Sequence, residues 1–318
     1  MLITTEHFKK IYRENKVSVT CLVLIINNEC NANCKVCLAK QIFKSSLCKE
    51  ICEGYTAKCV RCCDHTASDE EFYARLEDIL STINSPIVDI IITGGEPTLS
   101  NRFIPTLEVL DKYSFPTKEI ELETNGAGLG DKEIAKALIK HKVQIHLSRY
   151  GKSDDENQAE FGFTSYATTN ADIERYAKTY GDLFGVSTVL LANHIDSAEA
   201  MLDMMDAFSE MGVKHHAFLE VMADTTLRSA NKEILNYYDK FRVPIEALSR
   251  NLELLGVKKI ADEGNESYRF ITHEYKGRVF TMTSSDLSKQ HRQETNNGFS
   301  RFLIMPSGEI GVNGIEKR

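Results

Sequence analysis

Cys30-Asn31-Ala32-Asn33-Cys34-Lys35-Val36-Cys37 follows an apolar run at 17–26 that reads as a buried β-strand. The spacing is Cys-x3-Cys-x2-Cys. Cysteine is the usual ligand of iron–sulfur clusters, and three thiolates in one short loop can hold three irons of a [4Fe–4S] cube. A fourth thiolate would close the cluster, whereas three leave one iron open to a chelating ligand. A structural zinc loop is the alternative chemistry, although such sites usually take two Cys/His pairs separated by a longer insert. Reduced structural thiols are the third reading.

A second stretch narrows the choice. Another strand-like run, 88–93, leads directly into Gly94-Gly95-Glu96-Pro97. Glycines at a strand end let backbone groups approach a ligand closely. Taken with the cysteine loop, this stretch resembles the GGEP motif of the radical SAM superfamily. That resemblance implies S-adenosylmethionine on the open iron, with Gly94, Gly95 and Glu96 supporting the cofactor rather than the fold.

Composition sets the outer bounds. The chain has 318 residues, 42% of them hydrophobic, with a net charge of −8 and a pI near 5.7. That is enough for one sizeable core, or a large domain and a small one. The absence of a long Lys/Arg run argues against a nucleic-acid surface. No stretch approaches the ~20 apolar residues of a membrane span. The polar start, 1–16, reads as a short amphipathic helix and carries no signal-peptide apolar region, so a cytoplasmic protein is expected. All nine cysteines lie at or before position 63. In a reducing compartment such clustering points to metal rather than disulfides.

From residue 17 strands and helices alternate. Strands are expected at 17–26, 88–93, 118–124, 143–148, 186–191 and 214–221. Helices are expected near 69–83, 101–111, 131–140, 171–179 and 197–211. Ser68-Asp69-Glu70-Glu71 opens the first of them as an acidic cap. Six β-α units imply a parallel sheet with right-handed crossovers, too few to close an eight-stranded barrel. The resemblance implies an α/β fold, a partial (β/α)6 TIM-like barrel. The expected organisation is a barrel at 1–225, a cysteine-rich insert at 38–66 and a C-terminal region at 226–318. That last region reads as a helix at 231–255 and strands at 268–273, 277–282, 301–305 and 309–312, forming a small antiparallel cap turned at Pro306-Ser307-Gly308.

The insert carries Cys48, Cys52, Cys59, Cys62 and Cys63, with His65 close behind. Five thiols in a segment without apolar periodicity favour a metal centre that folds it. An auxiliary [4Fe–4S] cluster is expected, with zinc as the alternative. Adjacent Cys62 and Cys63 leave the fourth ligand open. Cys21 reads as a buried strand thiol that a neighbouring cluster could recruit.

The resemblance implies further cofactor contacts at the strand ends: Glu123 and Asn125 on the third strand, Ser148 at the ribose on the fourth, and Asn193 at the adenosine on the fifth. Arg149 would pair with the methionine carboxylate, because guanidinium binds carboxylate with two prongs. Turn, cap and ion-pair roles are the alternatives. His146, His194, His215 and His216 read as core or rim residues. Val36 stands where an aromatic residue often precedes the third cluster cysteine.

More narrowly, the chain is similar to the radical SAM peptide epimerases of the epipeptide type. The short barrel, the cysteine-rich insert and the cysteine-free tail carry this likeness. It implies a ribosomally made precursor peptide as substrate and a flavodoxin- or ferredoxin-type electron donor. It also implies conversion of L-Val or L-Ile residues to the D-form, with hydrogen returned by a cysteine thiol. The donor would stand near the end of the sixth strand, where Glu220-Val221-Met222-Ala223-Asp224 has no cysteine. Ala223 therefore marks either a different donor or a Cys→Ala substitution in an epimerase. Two rivals remain. One is a relative of the molybdenum-cofactor cyclase that rearranges a nucleotide, whose C-terminal cluster ligands are missing here. The other is a non-catalytic Fe–S or Zn-binding interaction protein.

Overall fold

The computed structural model describes residues 2–14, 19–37, 67–84, 87, 89–113, 119–221, 232–264, 268–285 and 301–312. In chain order its strands are β1 Leu2–Ile3, β2 Cys21–Ile25, β3 Asp89–Thr93, β4 Glu119–Thr124, β5 Gln144–Arg149, β6 Phe184–Leu190 and β7 His215–Glu220, followed by β8 Lys258–Gly264, β9 Tyr268–Tyr275, β10 Arg278–Ser285, β11 Arg301–Ile304 and β12 Ile310–Val312. Strands β2 to β7 are the six expected ones, and each pairs in parallel with the next.

The helices are α1 Thr5–Arg13, α2 Asp69–Thr82, α3 Phe103–Asp111, α4 Lys132–Lys140, α5 Asp154–Phe161, α6 Asn170–Tyr180, α7 Ala198–Glu210, α8 Lys232–Phe241 and α9 Ile245–Leu254. The Ser68 hydroxyl accepts from the Glu71 N–H at 3.2 Å, and the Glu71 carboxylate accepts from the Ser68 N–H at 3.2 Å. This reciprocal box is the cap read from the sequence.

Alternation along the strands separates two faces. Leu22, Leu24, Ile90, Ile92, Ile120, Leu122, Ile145 and Leu147 share one buried cluster with Phe72 and Leu76 of α2, Phe103 and Leu107 of α3 and Met201 and Met205 of α7. Helices therefore cover this face. The other face is apolar at Val23 and Ile25 and polar across β4 and β5, where Glu119, Glu121, Glu123, His146 and Ser148 alternate with the core residues. Strands buried on both faces read as continuous apolar runs. The Glu-Ile-Glu-Leu-Glu-Thr pattern of β4 instead marks an inner face that meets a polar lumen. Cys21 is buried on that inner face beside Val23, Ile25 and Met305, as its strand position suggested.

The C-terminal strands are not a separate cap. They extend the two edges of the barrel sheet, whose order is β1-β12-β11-β2-β3-β4-β5-β6-β7-β10-β9-β8. Strand β10 lies parallel to β7 and β11 parallel to β2, while β9–β10 and β11–β12 keep the expected antiparallel pairing. The row does not close, which fits a partial barrel. An open parallel row leaves unpaired edge groups, and both hairpins satisfy them. Strand β8 escaped the sequence reading because Lys258-Lys259-Ile260-Ala261-Asp262-Glu263-Gly264 is an exposed, mostly charged edge.

Helix α5 was also not expected. Asn157, Glu160 and Phe161 are its buried residues, so no apolar stripe betrays it. Its signature is the Ser153/Glu156 capping box.

Buried His216 pairs through Nε2 with the Ser209 hydroxyl of α7 at 3.1 Å. Burial, with help from Arg278 and His215, lowers its pKa from 6.5 to about 4. The unfolded chain therefore binds a proton that the folded chain refuses, and stability falls as pH drops from about 6.5 towards 4. Thermal melts across that window should show a steeper loss for the unaltered chain than for His216→Gln. Equal slopes would contradict this role.

Candidate functional site

The cysteine loop leaves the carboxyl end of β2 and is stitched at once to the end of β3. The Gly95 N–H donates to the Asn27 carbonyl at 2.9 Å, and the Glu96 N–H to the Glu29 carbonyl at 2.6 Å. The Asn27 amide donates to the carbonyls of Glu29 and Glu96, both at 3.1 Å. A Cβ at Gly94 would lie 2.6 Å from the Asn27 carbonyl oxygen, and one at Gly95 only 2.0 Å from that of Glu29. The two glycines thus admit the backbone that leads into the cysteine loop.

Glu96 is 1% exposed. Its carboxylate accepts from the Thr98 N–H at 3.1 Å, the Thr98 hydroxyl at 2.5 Å, the Thr124 hydroxyl at 2.6 Å and the Asn125 N–H at 2.7 Å. Burial raises its pKa, against the opposing pull of these donors. Within the chain, the Glu96 carboxylate joins the ends of β3 and β4, so it has a structural role beside the cofactor role expected of it. Asn125, fixed by this bond, donates through Nδ2 to Asn31 Oδ1 at 2.8 Å and to Cys30 Sγ at 3.7 Å.

Helix α5 and the loop after it hold the opposite side. The Asn33 N–H donates to the Phe161 carbonyl at 2.7 Å, and the Lys35 N–H to the Glu160 carbonyl at 3.4 Å. The Asn31 carbonyl accepts from the Thr164 N–H at 2.8 Å, and the Asn31 amide donates to the Tyr166 carbonyl at 2.7 Å. The Glu160 carboxylate, 2% exposed, accepts from Lys35 at 3.3 Å, Asn193 at 2.9 Å and Tyr237 at 2.6 Å, and contacts His194 Nε2 at 3.0 Å. Burial opposes its ionisation, but Tyr237, His194, Asn193 and Lys35 outweigh that penalty and lower its pKa. Val36 plugs an apolar cluster of Tyr150, Phe161, Leu191 and Val221.

Cys30 is exposed, Cys34 and Cys37 are half-buried, and all three are free of disulfides. Three accessible thiols on a loop braced from both sides, beside the carboxyl ends of a parallel sheet, fit an iron–sulfur centre. The carboxylates of Asp89, Glu119 and Glu121 lie within 4.8 Å of one another at the opposite, amino-terminal ends of the strands.

The other expected residues fall into distinct places. Glu123 is exposed on the inner face at the end of β4. Ser148 lies on the same face, in register with Ser187, whose hydroxyl meets His146 Nδ1 at 3.3 Å. Arg149 points the other way, onto the helix-covered face with Ile145 and Leu147. Its guanidinium donates to the Thr168 carbonyl at 3.0 Å, Asn170 Oδ1 at 2.8 Å and Asp154 at 3.3 Å. The expected pairing with a cofactor carboxylate is corrected: alternation along β5 turns this side chain away from the lumen. Asn193 is engaged by Glu160 at the loop's flank. Ala223, Cys48, Cys52, Cys59, Cys62 and Cys63 lie outside the described residues. Glu160 and Asn31 were missed as contributors. The Ser153-x-x-Glu156 box was the signal that could have exposed α5 and, with it, Glu160.

No family model and no curated protein matches the sequence. Among solved structures the chain is similar to Streptococcus suis SuiB bound to precursor peptide SuiA, with TM-score 0.55 and 14% identity over 96% of this chain and 62% of that one. It is similar to SuiB bound to S-adenosylmethionine with TM-score 0.55 and 14% identity over 96% and 63%. Native anSMEcpe with bound AdoMet and Cp18Cys peptide aligns with TM-score 0.47 and 20% identity over 65% and 52%. The chain thus spans less than two thirds of these proteins. At such identities the likeness to SuiB establishes the fold, a mostly parallel α/β sheet of the partial-barrel kind.

Removing the Glu96 carboxylate would leave four buried donors, on Thr98, Thr124 and Asn125, without their acceptor. Such losses cost roughly 1–3 kcal/mol for each buried group left unpaired. Urea denaturation of Glu96→Ala should show a loss of at least about 3 kcal/mol. A variant as stable as the parent would show that the tie is dispensable.

Proposed function

We propose that the chain is a radical SAM enzyme that acts on a ribosomally made peptide and epimerises residues in it from L to D. The observation that carries this reading is the Cys30, Cys34 and Cys37 loop docked through backbone hydrogen bonds on Gly95 and Glu96. SuiB, whose fold the chain shares, has been seen with S-adenosylmethionine and with a precursor peptide, and this supports the cofactor and the substrate class. Cys30, Cys34 and Cys37 would hold the [4Fe–4S] cluster. With S-adenosylmethionine bound, that cluster supplies one-electron cleavage and hydrogen-abstraction chemistry.

The chain's own residues supply the surroundings. The bracing of the loop by Asn125 and by the end of α5 fixes the thiols before any metal arrives. Glu123 and Ser148 offer polar contacts on the lumen side for cofactor or substrate. The apolar group of Val36, Tyr150, Phe161, Leu191 and Val221 excludes water from the flank of the loop. Cys48, Cys52, Cys59, Cys62 and Cys63 are assigned to an auxiliary [4Fe–4S] cluster, and a flavodoxin- or ferredoxin-type protein is the electron donor. The setting is cytoplasmic, consistent with the described residues, where no helix is long and apolar enough to cross a membrane.

Position 223 is assigned to the hydrogen donor of the epimerase, which makes this sequence a Cys→Ala variant that abstracts the α-hydrogen without completing the epimerisation. Val221, two residues earlier, packs in the same apolar cluster as Val36. Glu220 is held by the Arg242 guanidinium and by the Ile245 N–H at 3.1 Å. The strand end leading to 223 is therefore anchored next to the cysteine loop. An alanine C–H bond is too strong to give hydrogen to a peptide α-carbon radical, whereas a thiol S–H gives it readily.

Two experiments test this reading. Anaerobic reconstitution should load about eight irons per chain, four to each cube. Replacing Cys30, Cys34 and Cys37 together by Ala should halve that content and abolish cleavage of S-adenosylmethionine, and retained cleavage would remove the loop's assignment. With the genomically neighbouring short peptide in deuterated buffer, Ala223→Cys should place one deuterium on each new D-residue, detected by mass spectrometry and chiral amino-acid analysis. A D-residue made by the unaltered chain but not by Ala223→Cys would overturn the donor.

A further inference from the structure

Two side chains outside the thiol set point hydrogen-bond donors at it. The Asn125 amide has a single orientation that satisfies its neighbours: Oδ1 accepts from the Ala127 N–H at 3.1 Å, so Nδ2 faces Asn31 Oδ1 at 2.8 Å and Cys30 Sγ at 3.7 Å. Its backbone is fixed as well, by Glu96 at the N–H and by the Thr168 hydroxyl at the carbonyl, 2.6 Å away. Tyr150 follows β5 directly. Its N–H donates to Asn157 Oδ1 at 2.8 Å, and its ring meets Phe161 edge-on with centroids 4.7 Å apart. The hydroxyl is buried and hydrogen-bonds Cys34. The Ala32 N–H adds a backbone donor to Cys30 Sγ at 3.4 Å.

The consecutive strands β4 and β5 thus each deliver one rigid side-chain donor, to different thiols of the loop. Resting on the iron–sulfur reading above, we infer that Asn125 and Tyr150 are positioning residues that raise the reduction potential of the cluster held by Cys30, Cys34 and Cys37. A donor to a ligating sulfur draws negative charge away from it and favours the more negative, reduced state. Both donors are preset by the fold, since the bonds that orient them are made to protein groups and not to the metal. The electron donor then has a smaller potential gap to cross.

Burial raises the Tyr150 pKa well above its ordinary value, and the charge and hydrogen bond of Cys34 push the same way.

The test is a potentiometric titration of the anaerobically reconstituted full chain, followed by electron paramagnetic resonance. The signal that changes on adding S-adenosylmethionine identifies the loop's cluster. Tyr150→Phe keeps the ring and its packing. It should retain full iron content while its potential falls by about a tenfold change in the reduction equilibrium, ~59 mV for a one-electron couple. Asn125→Ala should give a fall of the same sign. An unchanged potential in a fully loaded Tyr150→Phe protein overturns the inference, whether or not Asn125→Ala folds. A protein that loses iron while its remaining clusters keep their potential shows a merely structural role and overturns it too. Failure of the unaltered chain to bind any S-adenosylmethionine-responsive cluster overturns the functional reading and this inference with it.

Discussion

One buried carboxylate joins the two strand ends on which the site depends. Glu96 gathers Thr98, Thr124 and the Asn125 N–H around itself, so the end of β3 cannot move without the end of β4. Withdrawing a carboxylate from water is costly unless hydrogen bonds replace the lost hydration, and here four donors do so. Through Asn125 the same tie reaches Asn31 and Cys30, and through the paired backbone of Gly95 and Glu96 it reaches Asn27 and Glu29. The cysteine loop is therefore attached to the sheet by hydrogen bonds that need no metal. On the far side a second carboxylate, Glu160, performs the matching task by holding Lys35 and the Asn193–His194 turn.

The sheet explains why these ends meet. Six parallel strands from successive β-α units align their carboxyl ends on one rim, where ligands of open α/β sheets usually bind. The two C-terminal hairpins cover the edges of that row without carrying thiols of their own. Because β10 and β11 run parallel to the barrel strands they flank, the C-terminal region is continuous with the sheet, and the lumen is framed by both ends of the chain.

Much of this was legible from sequence. Long apolar runs and the turns after them located β2 to β7, and the Ser68 box located the start of α2, because period and capping are local properties. The cysteine spacing and the Gly94-Gly95 turn singled out two stretches, which the structure brings together. What stayed hidden depended on partners far away in the chain. The direction of Arg149 follows from alternation along β5, which the residues 145, 147 and 149 do encode. A basic group at a strand end nevertheless invited a ligand role before its partners Thr168 and Asn170 were visible. Nothing local to Glu96 announces the hydroxyls of Thr98 and Thr124 gathered around it. Helix α5 lacks an apolar stripe, and β8 is a charged edge, so pattern reasoning passed over both. The histidines read as core or rim residues divide as expected, with His216 in the core and His194 against Glu160.

The central claim is that the three-thiol loop presents an iron with an open position to S-adenosylmethionine. Electron–nuclear double resonance on the reduced, reconstituted chain tests this most directly, with S-adenosylmethionine labelled by nitrogen-15 at the amino group and oxygen-17 at the carboxylate. The account predicts hyperfine coupling from both labels to the cluster, lost when Cys30, Cys34 and Cys37 are replaced by Ala. A reduced cluster on these cysteines that shows no coupling to either label would contradict it, as would a tetrahedral zinc in its place.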